Sequence, residues 1–205
     1  RFIANPQLPS ATRFTCQQAT TAKHSLPTLM AIQLQEFAKQ VLFGTTIEEK
    51  LSFPREEIID TTPGSGFVTP RQLTRPKHLM LRDDGVRAKH PSQVKLIDEK
   101  ERGKLLHFFG NHELLATELM ALALLKFPNA PASFRRGLLE TLKDEQIHTK
   151  LYMHRMQQCG VEFGELPLND YFWKSVSSME DPLDYVTRLS LTFEQANLDY
   201  SREYG

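Results

Sequence analysis

The sequence predicts an all-α fold in which long helices pack around one apolar core. Three stretches carry apolar residues at helical spacing, at about 98–127, at about 131–159 and from Asp181 to the end of the chain. Alternating patterns typical of strands are sparse, apart from short apolar runs within 161–176. A chain of 205 residues suits one domain of moderate size with extensions.

The amino-acid composition favours a soluble protein without a membrane span or a disulfide framework. The chain is 40% hydrophobic and 24% charged with a formal net charge of zero, which is typical of a soluble globular protein and gives no argument for nucleic acid or an anionic membrane. No apolar run approaches the length of a membrane span, so no membrane partner is expected. Cys16 and Cys159 are far apart, which favours a reducing compartment, the cytoplasm, over a disulfide framework.

Residues 1–29 differ in composition from the rest of the chain. Arg1, Arg13 and Lys23 are the only charged residues before Glu36, and the segment is rich in Ser, Thr, Gln and Pro. Such a composition fits a transit peptide. Because no amphipathic arginine face is evident, we favour a disordered tail or leader ahead of Met30.

A short helix and a long arm occupy residues 30–97. Residues 30–43 have helical spacing and stop at Gly44, and “TTIEEKL” is expected to form a short capped helix. Residues 52–97 lack periodicity and are rich in proline, so we expect an arm that wraps over the bundle or has a function of its own. Residues 71–95 hold seven Lys or Arg against two Asp, a pattern that fits phosphate binding or, in the interpretation we favour, a solvated surface.

The first two long helices are predicted to form an antiparallel hairpin. Pro128 ends the first, Pro131 opens the second and Gly160 follows its end. The connection “PNAP” is so short that the two helices must lie side by side. The third helix begins with Asp181, an N-cap residue, followed by Pro182 at the first helical position.

Ionisable residues fall on the apolar side of the hairpin. Glu145 and His148 lie about 60° apart around the second helix, in an apolar stripe. Glu113 and Glu145 each lie 14 residues from the hairpin turn, so both are about 21 Å from it. Glu118 is about 7 Å off this level and about 140° around the helix from Glu113, so Glu113 is the preferred partner.

The third helix adds a further carboxylate, Glu194, and Gln195 beside it could orient that group. His112 lies about 100° from Glu113 around the first helix, and we interpret it as an orienting or structural group. Tyr152 is either a hydrogen-bonding or redox group beside the site or part of the core.

A bound metal ion explains why these groups face the core. Its positive charge compensates carboxylates that could not otherwise stay ionised there. Glutamates from separate helices with a Glu-x-x-His pair are the ligand pattern of ferritin-like di-iron and di-manganese bundles. Oxygen and imidazole ligands suit iron, manganese or, less diagnostically, zinc. The alternative is a helical bundle in which the same residues pair with Arg or Lys.

Several blocks of sequence also carry a resemblance to a known family. They are “HFFGNHELLATELMALALLKFPNAP”, “FRRGLLETLKDEQIHTKLYMHRM”, “GVEFGELPLNDYFW” and “LSLTFEQANLDY”, with “VLFGTTIEEKL” upstream. Over about residues 35–203 the chain resembles an uncharacterised ferritin-like family of bacterial proteins related to tRNA-modifying di-iron monooxygenases. The resemblance implies a site for two iron or manganese ions, with Glu113, Glu145, His148 and Glu194 as ligands.

That family pattern also requires a fourth core helix with a second Glu-x-x-His, which does not occur in the sequence up to Gly205. We therefore expect the bundle of residues 98–205 to hold a half-built site. A further segment, or a second copy of the chain in a homodimer, would supply the remaining ligands.

The leading functional hypothesis is an O₂-dependent oxidase or hydroxylase with iron, or manganese, in the bundle. Its substrate would be a small molecule or tRNA, and the sequence identifies neither the substrate nor the catalytic residues. The alternatives are a metal storage or detoxification protein and a non-catalytic helical binding module that uses the basic arm.

Overall fold

The structure, a computed structural model, describes residues 31–88 and 97–193. These residues form the expected helical bundle. The described strands form one parallel ladder that pairs Ile32 with Ile58 and Gln33 with Ile59. In chain order the elements are β1 (Ile32–Gln33), α1 (Leu34–Phe43), α2 (Ile47–Leu51), β2 (Ile58–Ile59), a 3₁₀ turn (Lys77–Leu79), α3 (Glu99–Lys126), α4 (Ala132–Gln158), α5 (Tyr171–Val176), α6 (Pro182–Tyr185) and a π-helix (Val186–Phe193).

Helices α3 and α4 form the predicted hairpin, and each end lies within one residue of its expected position. Asp98 caps the start of α3 because its carboxylate accepts hydrogen bonds from the backbone N–H groups of Lys100 and Glu101. The short helix α2 has the predicted cap, in which Thr46 and Glu49 each bond the other's backbone N–H.

One arginine of α4 closes the turn between the two long helices. Arg135 donates to the carbonyl oxygens of Leu124 and Phe127 at 2.7 and 2.9 Å, where the end of α3 leaves carbonyls without helical partners. The same guanidinium donates to both oxygens of Asp60, at 2.6 and 2.9 Å. A single buried side chain therefore joins α3, α4 and the arm.

Helix α3 is the central element of the core. Residues 114–125 are all buried, because α3 packs against α4 on one side and against α1 and α5 on others. Helix α1 contributes Phe37 and Val41, both fully buried. The core is therefore built from residues on both sides of the predicted boundary at residue 97.

The described part of the arm wraps over the bundle, as expected. The Thr69 hydroxyl donates to the carbonyl oxygen of Ser177 at 3.0 Å, and Leu79 is fully buried. Arg75, which belongs to the arm, donates hydrogen bonds to Glu118 in the middle of α3. Polar contacts and a few inserted side chains therefore anchor a segment that has little secondary structure of its own.

The apolar runs within 161–176 form no strand in the described structure. Phe172, Trp173 and Val176 are buried on one side of the short helix α5. Val176 follows Phe172 by four residues and Trp173 by three, spacings that bring side chains together on a helix. So short a run does not distinguish helix from strand by pattern alone. The strand signal noted in this segment is therefore corrected to a helix.

Helix α6 begins at the predicted cap, where Asp181 Oδ1 accepts from the backbone N–H of Asp184 at 2.8 Å. The chain then continues as a π-helix, whose hydrogen bonds span five residues instead of four. The predicted continuation of this helix through Glu194 and Gln195 lies outside the described residues. No helix among residues 31–88 and 97–193 combines the length and apolarity that a membrane crossing requires.

Candidate metal centre

Three of the four predicted ligands come together between α3 and α4. Glu113 of α3 faces Glu145 and His148 of α4, and one ligand atom from each lies within 4.8 Å of the others. The antiparallel hairpin produces this meeting because both glutamates are the same number of turns from the connection. Glu194, the fourth predicted ligand, lies outside the described residues.

The three side chains differ in their access to solvent. Glu145 is buried, Glu113 is half-buried and His148 is exposed. His148 Nδ1 lies 3.2 Å from Glu145 Oε2, so the imidazole and the carboxylate are already paired across one turn of α4. The group therefore extends from the hairpin interior to its surface.

A cleft of about 510 Å³ opens at this place. Besides the three candidate ligands, the residues lining it are Leu106, Leu151, Tyr152 and Arg155. The cleft therefore combines a polar end with apolar walls, which is the usual character of a small-molecule site.

A glycine lets the two helices approach each other beside the candidate ligands. A Cβ atom at Gly110 would lie 3.0 Å from Met156 Cε and 3.3 Å from Tyr152 Cβ. Gly110 is one turn before Glu113 on α3, and Tyr152 is about one turn after His148 on α4. The absence of a side chain at Gly110 thus sets the helix separation near the site.

Tyr152 lines the cleft close to both glutamates. Burial raises the pKa of its phenol above the ordinary value, and the carboxylates of Glu113 and Glu145 add to that effect. The phenol therefore remains protonated at neutral pH and keeps an O–H group to donate. Tyr152 also packs against buried residues of the core, so its position fits both interpretations drawn from the sequence, a group beside the site and a part of the core.

His112 occupies an aromatic cluster. Its ring centroid lies 4.3 Å from that of Phe108 and 4.5 Å from that of Phe172. It is not among the residues that line the cleft. Of the two interpretations drawn from the sequence, the geometry favours the structural one. Gln195, the other group expected to orient a ligand, lies outside the described residues.

Glu118, which the sequence argument set aside, belongs to a buried ion cluster. Its side chain is fully buried, with Oε2 2.6 Å from Arg75 Nη2 and Oε1 3.0 Å from Lys50 Nζ. Burial alone would raise the pKa of Glu118, but the charges of Arg75 and Lys50 outweigh burial and hold it below the ordinary value. Glu118 is therefore ionised and neutralised by side chains.

No sequence signal pointed to this cluster. Lys50 lies in a short charged helix and Arg75 in the aperiodic arm, and both patterns are typical of solvated surfaces. Burial lowers the pKa of Lys50, an effect that Glu118 opposes. Lys50 Nζ also donates to the carbonyl oxygens of Val41 and Leu42 at 3.0 and 3.2 Å. The contact between Arg75 and Glu118 joins residues 43 positions apart in sequence, so it forms only once the arm is folded onto the bundle.

Comparison with known proteins places the chain in a family but assigns no activity. No curated protein and no solved structure matches it. The family described as “Protein of unknown function (DUF455)” matches residues 29–205, which include every described element and all the candidate ligands. The chain therefore belongs to the family of proteins of unknown function DUF455.

Proposed function

We propose that Glu113, Glu145 and His148 bind a divalent metal ion, iron in the first place and manganese as the alternative. The observation that carries the proposal is the convergence of three donor atoms from two helices within 4.8 Å. Ligand atoms around one ion, bonded at about 2.1 Å, lie about 3–4 Å from one another. Small side-chain movements would therefore close the group around an ion, and its oxygen and imidazole donors suit these metals.

The alternative is that these residues pair with Arg or Lys. Arg155 lines the cleft, and its guanidinium contacts Gln158 and Glu99 at 3.2 and 3.5 Å. An ordinary pair between Glu145 and His148 explains two members of the group. It does not explain why a carboxylate from α3 meets them.

The complete site would need more ligands than the three described. We propose Glu194 as the fourth, and a second Glu-x-x-His from a further segment or from a second copy of the chain in a homodimer. The resemblance to ferritin-like di-iron proteins supports a two-ion site. The cytoplasm remains the proposed location, because two distant cysteines fit a reducing compartment.

With that site complete, the protein would act as an O₂-dependent oxidase or hydroxylase. Iron or manganese held there would supply O₂ activation for attack on a substrate, with electrons from an external donor. Glu113, Glu145 and His148 would hold metal at this part of the site. Tyr152 would donate a hydrogen bond, and the walls formed by Leu106 and Leu151 would hold an apolar part of the substrate.

A small molecule is the substrate class that the cleft supports best, because about 510 Å³ is within the range of small-ligand sites. The resemblance of the sequence to a family related to tRNA-modifying monooxygenases keeps tRNA as the alternative. Salt-sensitive binding of tRNA to the metal-loaded protein would favour RNA. Retained metal without such binding would favour a small molecule.

Metal binding is tested by titrating the metal-free protein anaerobically with Fe²⁺ and, separately, with Mn²⁺. The bound ion is counted by elemental analysis, and Mn²⁺ is followed by electron paramagnetic resonance. We expect Glu113→Gln, Glu145→Gln and His148→Ala to lower the affinity at least about tenfold. Glu140→Gln and His154→Ala make the same changes at exposed positions of α4 and should have no effect.

Exposure of the iron-loaded protein to O₂ then separates the candidate activities. A transient visible absorption in the wild type, absent from Glu145→Gln, would support the oxidase or hydroxylase. Iron uptake in a very large assembly on size-exclusion chromatography would favour storage. Failure of the wild type to bind either ion would overturn the metal proposal and leave a non-catalytic binding module.

A further inference from the structure

A second cleft, of about 370 Å³, lies between the arm and α5. We propose that it binds a small organic anion, with a phosphate or carboxylate group against Arg75 and an apolar part against Leu73 and Trp173. Arg71, Arg82 and Arg87 also line the cleft. This proposal is independent of the metal centre, whose lining residues are all different.

Arg75 provides a built anion-binding group at the base of this cleft. Its side chain is only 2% exposed, yet it lines the cleft as well as contacting the core. Nε and Nη2 donate to Glu118, and Nη1 donates to Asn111 Oδ1 at 3.0 Å. A guanidinium carries five N–H groups, so one on each terminal nitrogen remains beyond these bonds. Two such groups match a carboxylate or phosphate edge.

The net positive charge of the buried cluster that contains Arg75 also favours binding of an anion in the cleft. The buried cluster contains two cations, Lys50 and Arg75, and one carboxylate, Glu118. Lys50 Nζ has three acceptors within 3.2 Å, which is the full capacity of an ammonium group. Within the described residues, no second carboxylate pairs with either cation. Because an uncompensated buried charge is costly, an anion beside Arg75 would stabilise the cluster.

The arginines at the rim of the cleft differ in how far their charge is already neutralised by a neighbouring aspartate. Arg71 is exposed and makes no ion pair with any described residue. Arg82 is paired with Asp84 at 2.7 Å, and Arg87 lies 3.9 Å from Asp170. Arg71 is therefore the rim residue most available to a ligand.

The mixed lining favours a small anion over nucleic acid. Asp83 and Asp170 line the same cleft as the four arginines, so its positive charge is interrupted and suits one anionic group better than the regularly spaced phosphates of a nucleic-acid backbone. Leu73, Leu81 and Trp173 supply apolar surface for an aromatic or aliphatic portion. A single anionic group on an apolar body satisfies both features.

The chain contains one tryptophan, Trp173, and it lines this cleft. Its fluorescence therefore reports binding directly. Metal-free full-length protein would be titrated with phenyl phosphate, benzoate, inorganic phosphate and, as an uncharged control, benzyl alcohol. We expect phenyl phosphate or benzoate to change the fluorescence saturably at up to about 10 mM, more strongly than inorganic phosphate, and benzyl alcohol to have no effect.

A variant at the rim and a matched control outside the cleft keep the test falsifiable, because Arg75→Gln disturbs the core. Arg71→Gln should weaken binding about fivefold to tenfold. Arg136→Gln, which makes the same change at an exposed position of α4 outside the cleft, should leave it unchanged. Equal binding by Arg71→Gln and wild type would overturn the proposal. Absence of any saturable response, or binding of tRNA without binding of the small anions, would also overturn it.

Discussion

Glu113 and Glu145 occupy matching positions in the two helices of the hairpin. Each is followed four residues later by a fully buried threonine whose hydroxyl donates to the glutamate's own carbonyl oxygen, Thr117 at 2.9 Å and Thr149 at 2.8 Å. A buried hydroxyl needs an acceptor, and the carbonyl one turn earlier provides it. Both helices can therefore keep small polar residues in the core next to the two carboxylates.

The proximity of these carboxylates predicts a metal-dependent change in stability. Fe²⁺ or Mn²⁺ bound at the site should raise the free energy of unfolding of the wild type. Glu113→Gln removes one of the three candidate ligands, so at the same metal concentration its rise should be smaller by about 1.4 kcal/mol, the equivalent of tenfold weaker binding. Urea denaturation with and without metal measures the effect, and Glu140→Gln is the control. An equal metal-dependent rise in Glu113→Gln and the wild type would contradict a role for Glu113 as a ligand.

The buried ion cluster predicts a large loss of stability for Glu118→Gln. Removing this carboxylate leaves Lys50 and Arg75 together in the core, which should cost about 3–5 kcal/mol. The matched control is Glu101→Gln, on the same helix, which breaks a 2.6 Å ion pair with Lys104 that is partly exposed to solvent and should cost less than about 0.5 kcal/mol. Chemical denaturation compares the two. Similar effects would show that burial adds nothing to the Glu118 interactions.

The environment of His107 predicts a pH dependence. Burial lowers its pKa from 6.5 to about 4, and Nε2 accepts a hydrogen bond from the backbone N–H of Gly164 at 3.0 Å. The unfolded chain therefore takes up a proton at a higher pH than the folded protein does, and stability falls as the pH is lowered from 6.5 towards 4.

Over that interval the wild type should lose about 3 kcal/mol more than His107→Gln. Denaturation midpoints measured across the pH range provide the comparison. His154→Gln, at an exposed position of α4, should keep the wild-type profile. Parallel profiles for wild type and His107→Gln would contradict a buried neutral imidazole.

Two glycines in the long helices predict opposite responses to alanine. A Cβ atom at Gly103 would lie 2.7 Å from Val161 Cγ2 and 2.9 Å from Cys159 Cβ, so Gly103→Ala forces α3 away from the end of α4. We expect a loss of about 1–3 kcal/mol, larger than the helix-propensity gain of about 1 kcal/mol.

At Gly137 a Cβ atom would meet no described atom within 4 Å, so Gly137→Ala should show only the stabilising propensity effect. Thermal unfolding of the two variants gives the comparison. A stabilising Gly103→Ala would mean that the helices separate there at little cost.

The hairpin could be predicted from sequence because its determinants are local. Pro128, Pro131 and Gly160 mark the helix ends, and the fixed rise per residue then places Glu113 opposite Glu145. The convergence of these glutamates with His148 follows from the same geometry. Their metal chemistry stays a prediction.

Other features depend on contacts that no local pattern encodes. Arg75 reaches a glutamate that lies 43 residues away in sequence, and nothing in the arm distinguishes it from the exposed Arg71. The widened helical turn after Tyr185 likewise has no periodic signal. Sequence alone therefore predicted the group formed by Glu113, Glu145 and His148 but not the buried ion cluster centred on Glu118.

The contacts of Arg135 imply an order of assembly. Its bond to Leu124 spans 11 residues of chain, whereas its bond to Asp60 spans 75, and closing the longer loop costs more entropy. We expect α3 and α4 to pair first during folding and the arm to dock onto them afterwards. Cleavage of the chain within the arm should therefore speed the detachment of the arm from the bundle, while α3 and α4 stay paired.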